Sequence, residues 1–337
     1  MREHHVKSII EDVCMHSSLG DLVAEPERTS GGLLHKMYEV ETTTGKYAIK
    51  LLNPQIMQRP QALINYIQSE KIARFLSAEI PAVNAIDVNG EILQKVDSQY
   101  YLMFNWVEGT TLTPTEITNS HCEKIGGILA AIHEAKVSEL DVHLEKNVEL
   151  PEINWDEYLR KGEEQEAEWV PVLQENRDQL YEWNSRAAAA ENVISLREVI
   201  SHRDLDPKNV LWHKDSPALI DWESAGLINP IHDLLDTAIY WSENDDGDLE
   251  KGRFLSFLEG YEKVGGVIKA DWRRTADYRM YGTLAWLEYN MKRSLWMECT
   301  DREEQELRTK EVTAALSTLK KYAQIIPELL IWLDNDR

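Results

Sequence analysis

The sequence predicts an α+β fold of two lobes, in which an N-terminal antiparallel β-sheet lobe that carries a helix precedes a mainly helical C-terminal lobe. Strand-type runs are concentrated before residue 105, and helical periodicity dominates after residue 118. A single short hairpin pattern, at residues 210–221, interrupts the helical part. We therefore place the lobe boundary after residue 105, with residues 1–105 in the first lobe and 106–337 in the second.

Helical segments and strand-type segments alternate along residues 1–105, and together they predict the N-terminal lobe. A short amphipathic helix opens the chain at residues 5–19, and a broad apolar helical face returns at residues 61–78. The turn Thr44-Gly45 joins two runs of β-type residues and so indicates a hairpin. The predicted strands are Met37–Thr42, Lys46–Leu51, Glu91–Val96 and Tyr100–Phe104.

The C-terminal lobe is read as a set of helices around one short hairpin. In that hairpin VLW and ALI flank a turn at His213–Pro217. Two helices are predicted near the end of the chain, before and after Asp301. The other predicted helices are Asn119–Ala135, Trp155–Lys161, Val170–Glu191, Asp233–Ser242 and Arg253–Val264.

Composition excludes several classes of protein. The 337 residues, 43 % of them apolar, suffice for a real core. The three cysteines are scattered singly, which predicts neither a disulfide scaffold nor a zinc site. The absence of a secretory h-region and of an apolar run of roughly 18–20 residues leads us to expect a cytoplasmic protein without membrane contact.

The net charge is strongly negative. A formal charge of −23 argues against nucleic acid and anionic lipid surfaces as partners, since both require a basic face. A cationic small molecule would be attracted to such a chain, although acidity also serves solubility alone. We expect a monomer or a homodimer that acts on a small molecule.

The segment SHRDLDPKNVLWHKDSPALIDWE, residues 201–223, carries the chemistry. Transfer of a phosphoryl group from ATP to an alcohol requires a group that accepts the hydroxyl proton and oxygen ligands that hold Mg²⁺ on the phosphates. Asp204 suits the first role, and Asn209 and Asp221 suit the second. His202 is expected to brace the loop. The simpler alternative is that Asp204 and Asp206 are only turn residues before Pro207.

This segment resembles the catalytic loop of the kinase superfamily, HxDxxxxN followed by a metal-binding Asp. Protein kinases have Lys where this chain has Asp206 and Phe-Gly where it has Trp222-Glu223, and no APE sequence occurs. The string IDWESAG with the later Asn229-Pro230 and Asp233-Leu234 instead resembles the aminoglycoside phosphotransferase and choline kinase group, over residues 25–240. The resemblance implies a two-lobed kinase-like fold, ATP and Mg²⁺ as cofactors and a possible place among antibiotic-resistance enzymes.

The same resemblance implies the nucleotide site. VETTTGKYAIK is similar to the second and third kinase strands, so Lys50 is expected to bind the ATP phosphates and to pair with Glu70 on the following helix. The alternatives are an ordinary surface lysine and an exposed glutamate. The remaining residues implied for the nucleotide are Gly31 and Gly32 over the phosphates, Phe104 behind the adenine, and the backbone of Asn105 and Val107.

The sequence gives the least information about the residues that bind the acceptor. Acidic clusters at Glu163–Glu168, Glu243–Glu250 and Asp301–Glu306 suit a polycationic aminoglycoside, yet such runs are usually solvated helix faces. A choline- or homoserine-type metabolite kinase is the alternative. Choline would need aromatic walls, for which the candidates are Trp222, Trp241, Trp286, Tyr289 and Trp296. A catalytically silent kinase-like binding protein is the remaining alternative. The expected acceptor-binding residues are Asp206, Glu223, Asp233, Trp241 and Glu288.

Overall fold

The computed structural model describes residues 3–29, 35–136, 140, 152–194, 197–299 and 301–335. The strands are β1 (Glu27–Arg28), β2 (Lys36–Thr42), β3 (Gly45–Leu51), β4 (Gln94–Val96), β5 (Gln99–Asn105), β6 (Val199–Ser201), β7 (Val210–His213), β8 (Ser216–Leu219) and β9 (Gly226–Ile228). The helices are α1 (Glu3–His16), α2 (Pro54–Met57), α3 (Pro60–Leu76), α4 (Asn119–Glu134), α5 (Trp155–Glu164), α6 (Val170–Ile194), α7 (Pro230–Tyr240), α8 (Lys251–Gly265), α9 (Trp272–Ser294) and α10 (Arg302–Asn335). The predicted α+β, two-lobed fold is confirmed.

The N-terminal lobe is an antiparallel sheet in the order β1-β2-β3-β5-β4. The predicted hairpin forms, and the pair Thr42–Gly45 closes it. β4 is shorter than predicted, because residues 91–93 lie in a turn region before the strand. β1 was not predicted, since two residues are too few to show an alternation.

The two faces of this sheet have different neighbours because side chains alternate along a strand. Ile49, Tyr101 and Met103 face α1 and form one apolar cluster with it. Leu102 belongs to a second cluster with Tyr66 of α3. Leu102 is the partner of Lys50 in the register, so the Lys50 side chain emerges on the α3 side of the sheet.

The C-terminal lobe is organised around a close crossing of α4 and α8. A Cβ atom added at Gly126 would lie 2.0 Å from the carbonyl oxygen of Phe257, and one added at Gly260 would lie 1.9 Å from that of Glu123. The two backbones therefore touch, and only glycine fits at these positions. None of the helices in the described ranges has both the length and the apolar character needed to cross a membrane.

Short strands bring the 201–223 segment into one place. β6 pairs with β9, which sets Ser201 opposite Gly226, and β7 pairs with β8, which sets Val210 opposite Leu219. The β7–β8 hairpin was predicted, whereas the three-residue strands β6 and β9 were not. Leu219 also bonds to the segment after α3, since its N–H donates to Pro81 and its carbonyl accepts from Val83. The hairpin thus connects the two lobes.

Candidate active site

Asp204 and Asn209 are joined directly in the loop that follows β6. The side-chain amide of Asn209 donates to the backbone carbonyl and to the carboxylate Oδ2 of Asp204, both at 2.8 Å. A single turn of 3₁₀ helix, Pro207–Asn209, makes this possible, and Asp206 caps it by accepting the Lys208 N–H at 2.9 Å. Because Asn209 uses its NH₂ group here, its Oδ1 atom remains as an oxygen ligand.

Asp221 is placed beside this loop by backbone hydrogen bonds. The Ile220 N–H donates to the carbonyl of Asn209 at 2.9 Å, and His202 Nε2 bonds to the carbonyl of Ile220 at 2.9 Å. Asp221 and Arg203 both have left-handed backbone angles, with φ of 62° and 64°. Such angles in residues other than glycine cost of order 1–3 kcal/mol each and concentrate at functional sites.

His202 contacts the loop through ring packing and one hydrogen bond to the backbone. It is fully buried, its ring lies 4.5 Å from that of Trp222, and burial lowers the pKa of His202 below its ordinary value. A neutral imidazole with its proton on Nε2 suits the hydrogen bond to Ile220. The assignment of His202 to support rather than proton transfer remains a prediction.

The oxygen atoms of Asn209 and Asp221 suit Mg²⁺, which prefers carboxylate and carbonyl ligands. In the described part of the chain, no three His, Cys, Asp or Glu side chains form a group able to hold a metal by themselves. Two protein ligands completed by phosphate oxygens and water are the usual surroundings of Mg²⁺ in phosphoryl transfer. The donor set therefore fits a magnesium ion that arrives with nucleotide.

Lys50 reaches the same point from β3. Its amino group donates to Asp221 Oδ1 and to Glu223 Oε2, each at 2.7 Å. Burial opposes the charge of this side chain, but the two carboxylates outweigh burial and raise the pKa of Lys50 above its ordinary value. The residue predicted to bind phosphate is thus a buried, protonated cation beside a candidate metal ligand.

The predicted ion pair between Lys50 and Glu70 is not formed, although both residues lie in the described part of the chain. Glu70 Oε2 accepts the backbone N–H of Ala85 at 2.8 Å instead. Burial raises the pKa of Glu70 to about 7, against a smaller opposing effect of the Ala85 hydrogen bond and of the Lys50 charge. Glu70 therefore senses Lys50 electrostatically without touching it.

Two residues predicted to bind the acceptor lie beneath the catalytic loop instead. Asp233 is 4 % exposed and accepts from His133 Nε2 at 2.9 Å and from the Ser201 hydroxyl at 2.5 Å. Trp241 is fully buried and donates from Nε1 to the carbonyl of Leu205 at 2.8 Å. Asp233 and Trp241 are therefore too buried to contact an acceptor, and they instead hold the loop through these hydrogen bonds.

The other three predicted acceptor residues are dispersed. Glu223 faces Lys50 rather than the helical lobe. Glu288 accepts from the Tyr158 hydroxyl at 2.7 Å and pairs with Lys292 on α9. Only Asp206 lies in the catalytic loop with part of its carboxylate exposed.

The predicted adenine-binding residues follow β5. The Trp106 N–H donates to the Lys46 carbonyl, so these two residues form a hydrogen-bonded pair of the antiparallel ladder. Such pairs alternate with pairs that are not hydrogen-bonded, and the next pair, Tyr47–Asn105, is of the second kind. The Asn105 N–H and carbonyl are consequently turned away from β3. Phe104 lies on the α3 side of the sheet, and Val107 is half-buried after the strand. Gly31 and Gly32 lie outside the described residues.

A cavity of about 440 Å³ lies on the α1 side of the sheet and shares Asn105 with the predicted adenine contacts. Its lining includes His16, Ser17, Tyr47, Asp87, Met103 and Asn105. The side chains of Tyr47 and Met103 belong to the α1 side of the sheet, opposite Lys50. Because the cavity and Lys50 lie on opposite sides of the sheet, the candidate active site is assigned to the catalytic loop and not to this cavity.

Three residues near the site were not singled out in the sequence. Lys208 donates from Nζ to Asp204 Oδ1 at 3.2 Å, and its i,i+4 spacing from Asp204 is a signal that local analysis could have used. Tyr66 and His35 approach Glu223 from α3 and from the start of β2. Nothing local in the sequence indicates those two contacts.

The fold is that of the protein-kinase-like phosphotransferases. A family model described as a phosphotransferase enzyme family, APH, matches residues 26–278, and the chain belongs to this family. The two-lobed architecture and the family are therefore established together, as the resemblance of the 201–223 segment predicted.

Solved structures share the architecture at low sequence identity. A spectinomycin phosphotransferase, solved with ADP and spectinomycin, is 18 % identical, with 94 % of this chain and 98 % of that chain covered and a TM-score of 0.70. An ethanolamine kinase from Plasmodium vivax is 18 % identical, with coverage of 90 % and 86 % and a TM-score of 0.59. A choline kinase from Streptococcus pneumoniae is 19 % identical, with coverage of 93 % and 99 % and a TM-score of 0.58.

Proposed function

We propose that the protein is an ATP-dependent kinase that transfers the γ-phosphate to a hydroxyl group of a small, aminoglycoside-like or otherwise cationic or sugar-like acceptor. One observation carries the proposal: Asn209 bonds to Asp204 at 2.8 Å, Lys50 bonds to Asp221 at 2.7 Å, and the N–H of Ile220, which precedes Asp221, joins the two pairs by donating to the Asn209 carbonyl at 2.9 Å. Residues 1–105 would form the nucleotide lobe and residues 106–337 the catalytic and acceptor lobe.

The proposed reaction is a direct, single displacement. Asp204 accepts a hydrogen bond from the acceptor hydroxyl and takes its proton as the new O–P bond forms and the bond from the γ-phosphorus to the β–γ bridging oxygen breaks. Asn209 holds the Asp204 carboxylate in position through Nδ2. Lys208, 3.2 Å from Asp204 Oδ1, adds positive charge where the phosphoryl group would pass.

The nucleotide would occupy the α3 side of the sheet. Lys50 uses two of its three N–H donors on Asp221 and Glu223, and it is proposed to donate to the phosphate oxygens while it keeps its bond to Glu223. Asn209 and Asp221 are proposed to hold Mg²⁺, which would supply charge that offsets the phosphates. Phe104 and the backbone of Asn105 and Val107 are proposed to contact the adenine. The ADP bound in the spectinomycin phosphotransferase structure supports a nucleotide in this fold.

An acidic neighbourhood supports a cationic acceptor. The pKa of Tyr240 is raised above its ordinary value, chiefly by the charge of Asp236 and by burial. The charges of Asp204 and Asp206 make smaller contributions in the same direction. Burial also raises the pKa of Glu243, with a smaller contribution from Asp206. Asp206 contributes to both shifts and lies in the same loop as Asp204, so we propose that an acceptor amine binds beside these two carboxylates, whereas Asp236 is already paired with Arg279.

Two of the aromatic residues considered for a choline-type cage are closed to a ligand. Trp222 and Trp241 are buried, at 1 % and 0 % exposure. Trp286 and Tyr289 stack on each other at 5.1 Å, and Arg308 lies over both rings. Trp286 is nevertheless 41 % exposed and Trp296 is 52 % exposed, so aromatic surface is available to a quaternary amine at these two residues. Choline, ethanolamine and homoserine remain as alternative acceptors to be included in the test.

The proposal is tested by nucleotide binding followed by an acceptor screen. Mg²⁺-ATP is expected to raise the melting temperature, and ADP production is then measured with aminoglycosides, spectinomycin, macrolides, choline, ethanolamine and homoserine. Absence of stabilisation by Mg²⁺-ATP would overturn the kinase assignment and favour the silent binding protein. Stabilisation without turnover of cationic or sugar-like alcohols would overturn only the acceptor class.

The base is tested by Asp204→Asn, which keeps a side chain of the same size in the loop. We expect turnover to fall by about 10²–10⁴-fold while Mg²⁺-ATP binding is nearly unchanged. Asp215→Ala is the matched control, because Asp215 is an exposed residue of the β7–β8 turn. Retained turnover in Asp204→Asn would exclude Asp204 as the base.

A further inference from the structure

A chain of hydrogen bonds leads from the end of β3 to the carboxylate that holds Lys50. The backbone N–H of Asn53 donates to His35 Nδ1 at 2.9 Å, and His35 Nε2 lies 2.5 Å from the Tyr66 hydroxyl. The Tyr66 hydroxyl in turn donates to Glu223 Oε2 at 3.3 Å. His35 and Tyr66 are 5 % and 8 % exposed, so water competes little for these bonds.

The direction of this chain follows from its first bond. A backbone N–H can only donate, so Nδ1 of His35 is an acceptor and the neutral ring carries its proton on Nε2. That proton points to the oxygen of Tyr66, which leaves the hydroxyl proton of Tyr66 for Glu223. Burial lowers the pKa of His35 and raises that of Tyr66, which is consistent with a neutral ring and a protonated hydroxyl.

Glu223 is the point at which this chain meets the phosphate-binding cation. Its Oε2 atom accepts from Tyr66 and, at 2.7 Å, from Lys50, whose second bond is to Asp221. The distance from His35 Nε2 to Glu223 Oε2 is 3.7 Å, so Tyr66 rather than His35 makes the hydrogen bond. The orientation of Glu223, and with it that of Lys50, thus depends on a hydroxyl that His35 orients.

We propose that His35 and Tyr66 are positioning residues that fix Glu223 and Lys50 in the geometry required to bind the phosphates of Mg²⁺-ATP. This role rests on the proposed function, because it assumes that Lys50 binds phosphate. Neither residue touches the reacting atoms. Their effect is therefore on phosphate binding and not on recognition of the base or on proton transfer at Asp204.

The test compares the affinities for Mg²⁺-ATP and for adenosine by calorimetry in three variants. Tyr66→Phe removes the donor to Glu223 and keeps the ring. His35→Asn retains an acceptor for the Asn53 N–H and loses the donor to Tyr66. Tyr101→Phe is the matched control, because it removes a tyrosine hydroxyl that bonds to Ser17 on the opposite side of the same sheet.

We expect Tyr66→Phe and His35→Asn each to weaken Mg²⁺-ATP binding about tenfold, as for one lost hydrogen bond to a charged group, and to change adenosine affinity less than twofold. The double variant should be no weaker than either single variant, because both changes remove the same bond to Glu223. Tyr101→Phe should bind both ligands as the wild type does.

Unchanged Mg²⁺-ATP affinity in both variants would overturn the positioning role. Additive losses in the double variant, or an equal loss of adenosine affinity, would also overturn it, since either result indicates general damage to the lobe. A wild-type protein that does not bind Mg²⁺-ATP would overturn the proposed function itself. That result is obtained before any variant is made, so the two failures are distinct.

Discussion

The amino group of Lys50 lies 2.7 Å from Oδ1 of Asp221, although the two residues are 171 positions apart in the chain. The Lys50 side chain is 9 % exposed and that of Asp221 is 36 % exposed. The cation is therefore held inside the protein, while the carboxylate is partly exposed to solvent. Removal of Lys50 therefore leaves carboxylates that water can reach, and not an unpaired charge in the core.

Lys50→Met should abolish Mg²⁺-ATP binding with only a small loss of folding stability. The substitution leaves Asp221 and Glu223 without their cation, but both are partly exposed and water can solvate them. We expect the free energy of unfolding to fall by only about 1–3 kcal/mol, with stabilisation by Mg²⁺-ATP lost. Thermal melts with and without nucleotide measure both quantities, and a variant still stabilised by Mg²⁺-ATP would contradict the role of Lys50.

Glu70→Gln should remove a pH dependence of stability. A carboxyl group with an ordinary pKa of 4.5 and a folded pKa of about 7 binds its proton more tightly in the folded state. Its contribution to stability is therefore largest below pH 4.5 and is lost as the pH rises to about 7, by roughly 3 kcal/mol. Glutamine keeps an acceptor for the Ala85 N–H and does not titrate.

The measurement is the free energy of unfolding in urea between pH 5 and pH 8. The difference between Glu70→Gln and the wild type should move in favour of the variant as the pH rises. Glu79→Gln, an exposed position just beyond α3, should follow the wild type at every pH. A difference that does not change with pH would mean that Glu70 is ionised throughout this range.

The α4–α8 crossing predicts opposite effects for alanine at two helical glycines. Gly126→Ala places a methyl group 2.0 Å from the carbonyl oxygen of Phe257, so the helices must separate. We expect the free energy of unfolding to fall by about 3 kcal/mol. Gly282→Ala on α9 meets no atom within 4 Å and should stabilise the protein by about 0.5–1 kcal/mol. Equal melting temperatures for the two variants would show that the crossing relaxes freely.

Local chemistry explains which parts of the site could be predicted from the sequence. Asp204 and Asn209 lie five residues apart in one loop, and the capping Asp206 and Pro207 between them fix its turn. The end of an apolar strand likewise positions Lys50. These relationships depend on neighbouring residues, and so do the long helices and the β2–β3 hairpin that were predicted correctly.

The remaining features depend on contacts between distant segments. Asp233 is buried because His133 of α4, 100 positions earlier, approaches the start of α7. Glu288 meets Tyr158 across 130 positions, and Glu70 is diverted to Ala85 by the path of the chain after α3. No periodicity reports such distances. The strands β6 and β9, three residues each, are also too short to be recognised before their pairing is known.

The bonds from His133 and Ser201 to Asp233 predict a second pH effect, opposite in sign to that of Glu70. Burial alone would raise the pKa of Asp233, but these bonds outweigh it and lower that pKa below its ordinary value of 3.8. The stabilisation is therefore complete above about pH 4 and is lost as the pH falls through the lower, folded pKa. Acid unfolding of the wild type should include this loss.

Asp233→Ala should lower the free energy of unfolding at pH 7 by about 3–5 kcal/mol, because it leaves His133 and Ser201 as buried donors without an acceptor. The variant should also lose less stability than the wild type on acidification below pH 4. Asp178→Ala, at a side chain that is 92 % exposed, is the control and should stay within about 0.5 kcal/mol. In a double-mutant cycle, Ser201→Ala should cost less in the Asp233→Ala background than in the wild type, because its partner is already gone. Additive costs would show that the Ser201–Asp233 bond does not hold β6, and hence the catalytic loop, against α7.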